Sequence, residues 1–158
     1  MFRPMRRKHK EIGAEEIRQL LTAERRGVLA VNGDDGYPYA VPVNFFYDEA
    51  AGKIFFHGSL AGHKSDALKR CGKVCFTVYG RETVGDEAWA PYLQSVVIFG
   101  RCRALADRGE ALARLRQFAL KYYPGEREVD EEIAADGKAA QMFEITIEHI
   151  TGKQIQER

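Results

Sequence analysis

The chain has 158 residues, with 24 Lys and Arg against 23 Asp and Glu, for a formal net charge of +1. This balance excludes the whole-molecule positive field that would attract nucleic acid or an anionic membrane surface. Apolar residues make up 45% of the chain and charged residues 30%, as in a soluble globular protein. We expect a single domain over residues 1–158, with residues 1–13 as a basic N-terminal arm.

The three cysteines, Cys71, Cys75 and Cys102, are odd in number and form no CxxC pair. This argues against a disulfide framework or a zinc site, and no metal is expected. No segment approaches the ~20 apolar residues of a membrane span, and no signal-peptide core precedes the domain. A cytoplasmic protein is therefore predicted. The basic run at residues 6–10 could contact phosphates, but a solvated arm is the simpler interpretation, so nucleic-acid binding ranks last.

In chain order, the spacing of apolar residues predicts helices over residues 14–26, 63–70, 108–123 and 127–135. Strands are predicted over residues 28–31, 37–47, 53–57, 74–79, 95–105 and 142–150, with a polar loop over residues 80–94. Gly27 is interpreted as the stop of the first helix. Pro38 and Pro42 predict a bulge or a local loss of pairing in the second strand. Six strands joined mainly by tight turns indicate antiparallel pairing, so we expect a mainly β fold, a small closed or split barrel with flanking helices.

The segment KIFFHGSLAGHKSDALKR, residues 53–70, places His63 and Lys64 where a helix begins. Cations at the positive end of a helix dipole cost from a few tenths of a kcal/mol to about 1 kcal/mol. A bound anion would remove the conflict, because it would accept hydrogen bonds from the free amides and pair with Lys64. Two plainer alternatives stay open here: Lys64 points into water, and His57 is a satisfied core histidine.

The strand VPVNFFY, residues 41–47, presents Asn44 among apolar residues. A flat heteroaromatic ligand needs an apolar face and a few hydrogen bonds along its edge. A phosphate at the helix and a ring along this strand together suggest a nucleotide-like cofactor. Neither GxGxxG nor GxxxxGK[ST] occurs in the chain, so a Rossmann or P-loop site is unsupported.

The motifs GYPYAVPVNFFY, IFFHGSLAGHKSDAL, KVCFTV and SVVIFGRCRAL together resemble the FMN-binding split-barrel superfamily of pyridoxamine 5′-phosphate oxidase. Within it, the chain is most similar to the branch related to the 5-nitroimidazole resistance (Nim) proteins, which MRRKHKEI and ITGK also resemble. The resemblance covers nearly the whole chain. It implies a six-stranded antiparallel split barrel and a homodimer with two FMN sites at the subunit interface.

The resemblance also implies the cofactor-binding residues. Along the flavin ring it places Pro42, Val43, Asn44 and Phe45. Around the ribityl chain and phosphate it places His57, Ser59, His63 and Lys64. From the second subunit it brings Ser95 with its neighbour Gln94, while Trp89 and Tyr92 cover the ring or substrate, or only pack at the interface. His57 is in addition the candidate catalytic residue.

These implications lead to an FMN-dependent oxidoreductase that reduces a small acceptor, nitroaromatics included, with NAD(P)H as a candidate donor. Flavin carries the redox chemistry, which agrees with the lack of a recognisable catalytic triad. Residues 148–158 lack the arginine-containing ending of the oxidase itself, so vitamin B6 oxidation is not expected. The alternative is a non-enzymatic module that binds flavin, deazaflavin or haem. His57 or His63 would be the haem ligand, although a phosphate role for Lys64 disfavours haem.

Overall fold

The computed structural model describes residues 1–84, 91–137 and 140–155. Its strands are β1 (Arg26–Asn32), β2 (Pro38–Asn44), β3 (Phe46–Asp48), β4 (Lys53–Gly58), β5 (Lys73–Thr83), β6 (Tyr92–Ala104) and β7 (Gln141–Gln154). Its helices are α1 (Ala14–Ala23), α2 (His63–Arg70), α3 (Arg108–Leu120) and α4 (Glu126–Asp136). No helix in the described ranges has both the length and the apolar character needed to cross a membrane.

The strands form one antiparallel sheet in the order β2-β1-β5-β6-β7-β4-β3. The two outermost strands, β2 and β3, are separated in sequence by Phe45 alone. Consecutive Cα atoms are only about 3.8 Å apart, so the two edges of the sheet must meet at this residue. The sheet therefore curls into a barrel that is joined at Phe45 and split along β2. This confirms the predicted mainly β, antiparallel split barrel with flanking helices.

The described residues contain seven strands where six were predicted, because the strand expected over residues 37–47 breaks at Phe45. The predicted bulge near the prolines is wrong. β2 pairs with β1 without a register shift, from Pro38 opposite Asn32 to Asn44 opposite Arg26. β2 is an edge strand, and alternate nitrogens of an edge strand face away from its only neighbour. Proline at those positions removes no ladder hydrogen bond.

Gly27 is not the helix stop that was predicted. α1 ends at Ala23, and Gly27 lies inside β1 opposite Val43. A Cβ on Gly27 would lie 2.3 Å from Cζ of Phe76, which is far too close. The ring of Phe76 therefore requires glycine at this position. The predicted loop over residues 80–94 is also shorter than expected, since β5 continues to Thr83 and β6 begins at Tyr92.

The barrel interior is filled by large apolar side chains from most of its strands. Fully buried members include Leu29, Phe45, Phe56, Phe76, Ile98 and Ile145. From α1, Leu20 and Leu21 join this core, and both are fully buried. A second, smaller cluster lies between β4 and α3, where Phe55 packs with Leu115 and Phe118. Because β4 is buried on both of its faces, α3 packs firmly against the same strand that leads to α2.

The N-terminal arm is partly folded onto the sheet. The amide of Ile12 donates to the carbonyl of Gly152 over 3.1 Å, and Glu11 pairs with Lys153 of β7. Ile12 is buried, and the ring of Phe2 stacks on His149 with 4.7 Å between centroids. The segment that was expected to be a solvated arm therefore contributes contacts to β7.

The corner at Phe45 is held by two adjacent side chains that follow α3. The hydroxyl of Tyr122 accepts from the amide of Phe45 over 2.8 Å and lies 2.7 Å from its carbonyl oxygen. The ammonium of Lys121 donates to the carbonyls of Phe45 and of Glu24, just after α1, over 3.2 and 2.5 Å. Burial, together with the charge of Arg25, lowers the pKa of Lys121 to about 8. These contacts tie the corner to α1 and α3.

Replacing Tyr122 by Phe should lower the free energy of unfolding by about 1–3 kcal/mol, because the amide of Phe45 loses its partner inside the fold. Urea denaturation monitored by circular dichroism measures this change. Tyr123→Phe is the matched control, because Tyr123 is 38% exposed and does not touch the corner. We expect a change within about 0.5 kcal/mol for that control. Equal stability of the two variants would contradict the clamping role of Tyr122.

A buried carboxylate links three strands on the other side of the barrel. Glu144 of β7 is 1% exposed and lies 2.8 Å from Nζ of Lys53 in β4 and 2.6 Å from Nε of Arg103 in β6. Burial acts to raise the pKa of Glu144, but the hydrogen bonds and charges of Lys53 and Arg103 outweigh it. The pKa of Glu144 therefore lies below its ordinary value of 4.5.

Glu144→Gln should cost about 1.5–3 kcal/mol at pH 7, because the hydrogen bonds from Lys53 and Arg103 lose their charged acceptor. A lowered folded-state pKa means that the stabilisation is complete above pH 4.5 and is lost as the pH falls through the folded value. The stability difference from wild type should therefore narrow in acid, which urea titrations between pH 7 and pH 3 would measure. Glu148→Gln, which removes a more exposed pair with Arg101, should cost no more than about 1 kcal/mol. A difference that stays constant with pH would contradict this account.

Candidate cofactor site

The connection between β4 and α2 is a short turn fixed by its own hydrogen bonds. Oγ of Ser59 accepts from the amide of Ala61 over 3.1 Å, and the carbonyl of Ser59 accepts from the buried hydroxyl of Ser65 over 2.5 Å. Gly62 has a φ of +104°, a backbone conformation that favours glycine. The turn therefore sets the direction in which the first amides of α2 point. Sequence reasoning missed Ser65, although a serine in the first turn of a helix is a recognisable signal.

The N-terminus of α2 has free hydrogen-bond donors. The preceding Gly62 offers no side-chain cap. Within the described part of the chain, the amides of His63, Lys64 and Ser65 form no hydrogen bond. A Cβ placed on Gly62 would meet nothing within 4 Å, so the space before the helix is open. Free donors and the positive end of the dipole together make this end of the helix suitable for an anion.

The ammonium of Lys64 lies over two aromatic rings. Its Nζ is 5.3 Å from the ring centroid of Phe56 and 5.8 Å from that of Phe143. Among the described residues, no carboxylate lies within ion-pair distance of it. Burial lowers the pKa of Lys64 below its ordinary value. The interpretation in which Lys64 simply points into water is therefore wrong, because the side chain is half-buried and its ammonium lies over two ring faces.

Gly58, the last residue of β4, explains how the ammonium fits. A Cβ on Gly58 would lie 2.7 Å from Nζ of Lys64. Because glycine has no side chain, the lysine can fold back beneath the strand and cover the rings of Phe56 and Phe143.

The side chain of His63 lies toward the hairpin between β1 and β2. Its imidazole stacks on Tyr39 with 4.0 Å between centroids, and its Nε2 lies 3.6 Å from Oδ2 of Asp34. Arg70, at the other end of α2, donates to the same carboxylate over 2.6 Å. The imidazole thus ties α2 to the hairpin, whereas the His63 amide stays at the helix start.

His57 is exposed, so the interpretation of it as a satisfied core histidine is wrong. Its ring packs edge-to-face against Phe118 of α3, with 5.0 Å between centroids. Partial burial and the charge of Lys64 lower the pKa of His57. The side chain is therefore largely neutral at pH 7 and is available as a hydrogen-bond donor or acceptor.

The four candidates around the end of β2 do not all face the same way. The side chains of Val43 and Phe45 point into the core, at 9% and 0% exposure, and Phe45 packs edge-to-face on Phe76. Pro42 and Asn44 face outward, and Pro42 is exposed while Asn44 is partly so. Only Pro42 and Asn44 offer side chains to a ligand outside the barrel wall. Val43 and Phe45 can offer backbone groups, although the Phe45 backbone is held by Tyr122.

The split of the barrel brings the two halves of the predicted site face to face. β2 borders it on one side, and the end of β4 with the start of α2 borders it on the other. The contact between Tyr39 and His63 marks one end, and the Phe45 corner marks the other. From Tyr39 to Phe45, the strand rises about 20 Å. Pro42, midway along β2, lines a cavity with Gly27, Val28 and Tyr79.

Gln94 and Ser95 do not join this cleft within one chain. They lie near the start of β6, whereas Ala104 at its end pairs with Phe143 beneath Lys64. Nine residues of strand separate Ser95 from Ala104 by about 30 Å. Gln94 is also only 5% exposed, and its side-chain amide already donates to the carboxylate of Glu16 over 3.0 Å.

Ser95 is partly exposed on the outer face of the sheet, between Tyr79 and Lys153 of the neighbouring strands. Tyr92 begins β6 opposite Thr83, and Trp89 lies outside the described residues. Within the described ranges, no three His, Cys, Asp or Glu side chains group into an arrangement that could hold a metal ion.

Several solved structures share this fold. A proposed 5-nitroimidazole antibiotic resistance protein from Bacteroides thetaiotaomicron is 18% identical, with a TM-score of 0.76 over 91% of this chain and 86% of that one. A FAD-binding protein from Mesorhizobium loti is 25% identical, with a TM-score of 0.64 over 93% and 98%. The flavocytochrome Anf3 from Azotobacter vinelandii is 22% identical, with a TM-score of 0.76 over 98% and 73%.

No curated protein sequence matches the chain. The family model of pyridoxamine 5′-phosphate oxidase matches residues 13–154, which include every strand of the barrel and both sides of the split. This protein therefore belongs to the pyridoxamine 5′-phosphate oxidase family.

Proposed function

We propose that this protein is an oxidoreductase that binds FMN in the split between β2 and the β4–α2 turn and passes electrons to a small acceptor. The observation that carries this proposal is Lys64, a half-buried cation at a helix N-terminus that lies over two aromatic rings and has no carboxylate partner among the described residues. A ligand phosphate would supply the counter-charge and would satisfy the free amides beside it. A phosphate-free apolar ligand would leave both unsatisfied.

Each side of the split has a separate role. Lys64, the first amides of α2 and the hydroxyl of Ser59 bind the phosphate. Pro42 and Asn44 line the ring along β2. His57, near the end of β4, has its ring against Phe118 of α3. Bound flavin supplies reversible electron transfer, while the protein supplies orientation and electrostatics. The neutral imidazole of His57 donates or accepts a hydrogen bond at the acceptor, for which a nitroaromatic is one candidate and NAD(P)H a candidate donor.

The comparisons support flavin as the class of cofactor. One of the similar structures is that of a FAD-binding protein, and a second is that of a flavocytochrome. We favour FMN because the hydrogen-bond donors around Lys64 are sufficient for one phosphate group. Deazaflavin also carries a phosphate and a tricyclic ring, so it is the nearest alternative. Haem is less well supported, because His63 is stacked on Tyr39 and close to Asp34.

We further propose that two copies associate through the outer face of β1, β5 and β6. This face carries partly exposed apolar side chains, among them Val28, Cys75 and Val97, with Phe99 41% exposed and Tyr79 60% exposed. Contiguous apolar surface of this kind is typical of an interaction site. Ser95 lies on the same face, so a second copy would bring it toward the cofactor from outside. That arrangement accounts for its separation from Lys64 within one chain.

The absorption spectrum of the purified protein, followed by mass spectrometry of any released ligand, tests the cofactor directly. Oxidised-flavin bands and the mass of FMN are expected. A Soret band would assign haem, and a deazaflavin spectrum would assign that cofactor. A colourless protein that also fails to bind added FMN would overturn the proposal. Turnover of reduced flavin with a nitroaromatic would separate an enzyme from a binding module.

Lys64→Ala should weaken FMN binding by about 10- to 150-fold, the loss expected for a charge-assisted hydrogen bond of about 1.5–3 kcal/mol. Titration of FMN fluorescence measures this affinity. Lys69→Ala is the matched control, since Lys69 is an exposed lysine at the other end of α2. Riboflavin, which has no phosphate, should bind wild type and Lys64→Ala about equally. Unchanged FMN affinity in Lys64→Ala, or an equal loss for riboflavin, would contradict a phosphate role for Lys64.

Wild type should sediment as a dimer at micromolar concentration, and Val97→Lys should sediment as a monomer with weaker flavin binding. The reason is that a charge in the middle of the apolar face opposes its burial. Thr146→Lys, at an exposed position of β7, is the control and should remain dimeric. Sedimentation velocity with detection at a flavin wavelength reports mass and occupancy together. A fully occupied wild-type monomer would contradict the interface proposal.

A further inference from the structure

The first residues of the chain reach the outer face of the sheet at β6 and β7. The ring of Phe2 lies parallel to the imidazole of His149, with 4.7 Å between centroids and 6° between planes. Phe2 also stacks on Phe99, with 5.7 Å between centroids. Phe99 of β6 and His149 of β7 are opposite each other in the ladder, so Phe2 covers a cross-strand pair.

Residues 1–6, which we call the strap, are held by apolar contacts. Within the described part of the chain, they form no hydrogen bond or ion pair. The first backbone hydrogen bond of the chain runs from the amide of Lys10 to the carbonyl of Arg7. Phe2 is 41% exposed even where it stacks, and Met5 is partly buried. The stack of Phe2 is therefore the main contact that keeps the strap in place.

The closed strap coincides with a polar atom that has no partner. Nε2 of His149 is buried, and among the described residues it is the only buried side-chain nitrogen or oxygen without a hydrogen bond. Leaving such an atom unpaired costs about as much as a lost hydrogen bond. Since Phe2 lies flat on the imidazole, opening the strap would give water access to the ring. Closure is thus favoured by stacking and opposed by the desolvation of Nε2.

The covered pair belongs to the face through which we propose that two copies associate. Cys75 of β5 is opposite Phe99, so Cys75, Phe99 and His149 form one row across three strands. Phe99 is 41% exposed beside the strap. A second copy that approaches this face therefore meets the strap at the His149 end of the row.

We propose that the strap is a displaceable cover of the dimer face. It opens when two copies associate, and the second copy replaces Phe2 on Phe99 and His149. The inference rests on the proposed function, because it requires association through the outer face of β1, β5 and β6. The second copy can displace the strap because a single stacked ring is the main contact to be lost, and because opening frees Nε2 for a hydrogen bond. The closed strap thereby lowers the affinity between copies.

Phe2→Ala and His149→Phe should act in opposite directions. Phe2→Ala removes the ring that closes the strap, so the dissociation constant of the dimer should fall by about two- to tenfold, the contribution of one aromatic pair. His149→Phe keeps a ring for stacking but removes the unpaired nitrogen, so the dissociation constant should rise by about twofold or more. Sedimentation of the full chain with saturating FMN, over a dilution series, measures both. Leu120→Ala is the control, because Leu120 is 40% exposed on α3, and it should leave the constant unchanged.

Trypsin measures opening of the strap without a dimer. Cleavage after Arg6, detected by the mass of the shortened chain, requires an open strap. At a concentration where every variant is monomeric, it should be faster than wild type in Phe2→Ala and slower in His149→Phe. A weaker dimer in Phe2→Ala would place Phe2 inside the interface and overturn the inference, as would equal cleavage rates in all three proteins. Wild type that stays monomeric at every concentration would refute the association of copies itself. A dimer whose affinity neither variant changes would refute the strap alone.

Discussion

The architecture depends on how the chain passes through Phe45. One residue carries the backbone from one edge of the sheet to the other, so its amide and carbonyl have no strand partner there. Tyr122 and Lys121 supply those hydrogen bonds from the end of α3. Because β2 is anchored at this corner and at Tyr39, its middle section borders an open split instead of closing the sheet. The proposed cofactor site is that split, so we expect ligand binding to depend on the corner.

Glu144 is buried and Lys121 and Lys64 are half-buried, and the protein compensates these three charges in different ways. Glu144 has two cations, and Lys121 has backbone carbonyls within hydrogen-bond distance. The Lys64 ammonium lies over the faces of two rings, and no carboxylate among the described residues is within ion-pair distance of it. Cation–π contacts contribute from about 0.5 to 2 kcal/mol, less than the cost of removing a charge from water. In the proposed function, the phosphate of the ligand supplies the missing counter-charge of Lys64.

Much of the fold could be predicted because its signals are local. α2 was predicted over the residues it occupies, since glycine precedes it and a lysine and an arginine end it. The break at Phe45 could not be predicted, because its cause is Tyr122, 77 residues away. Gly27 looked like a helix stop and is instead fixed by the ring of Phe76. For the site, the dipole argument found Lys64, but only the sheet order shows that Ser95 is distant. The alternation of inward-facing and outward-facing side chains along β2 could have predicted that Val43 lies in the core.

The prolines of β2 have a consequence for solubility. An open barrel edge displays unpaired backbone groups and is a template on which another chain can add a strand. In β2 the nitrogens of Pro38 and Pro42 belong to the set that faces this edge, and neither carries a hydrogen. An incoming strand would find two of its four expected donors missing, whereas a compact aromatic ring needs only one or two. The edge thus discourages strand addition while it leaves room for the proposed ligand, so an open side need not act as a seed for aggregation.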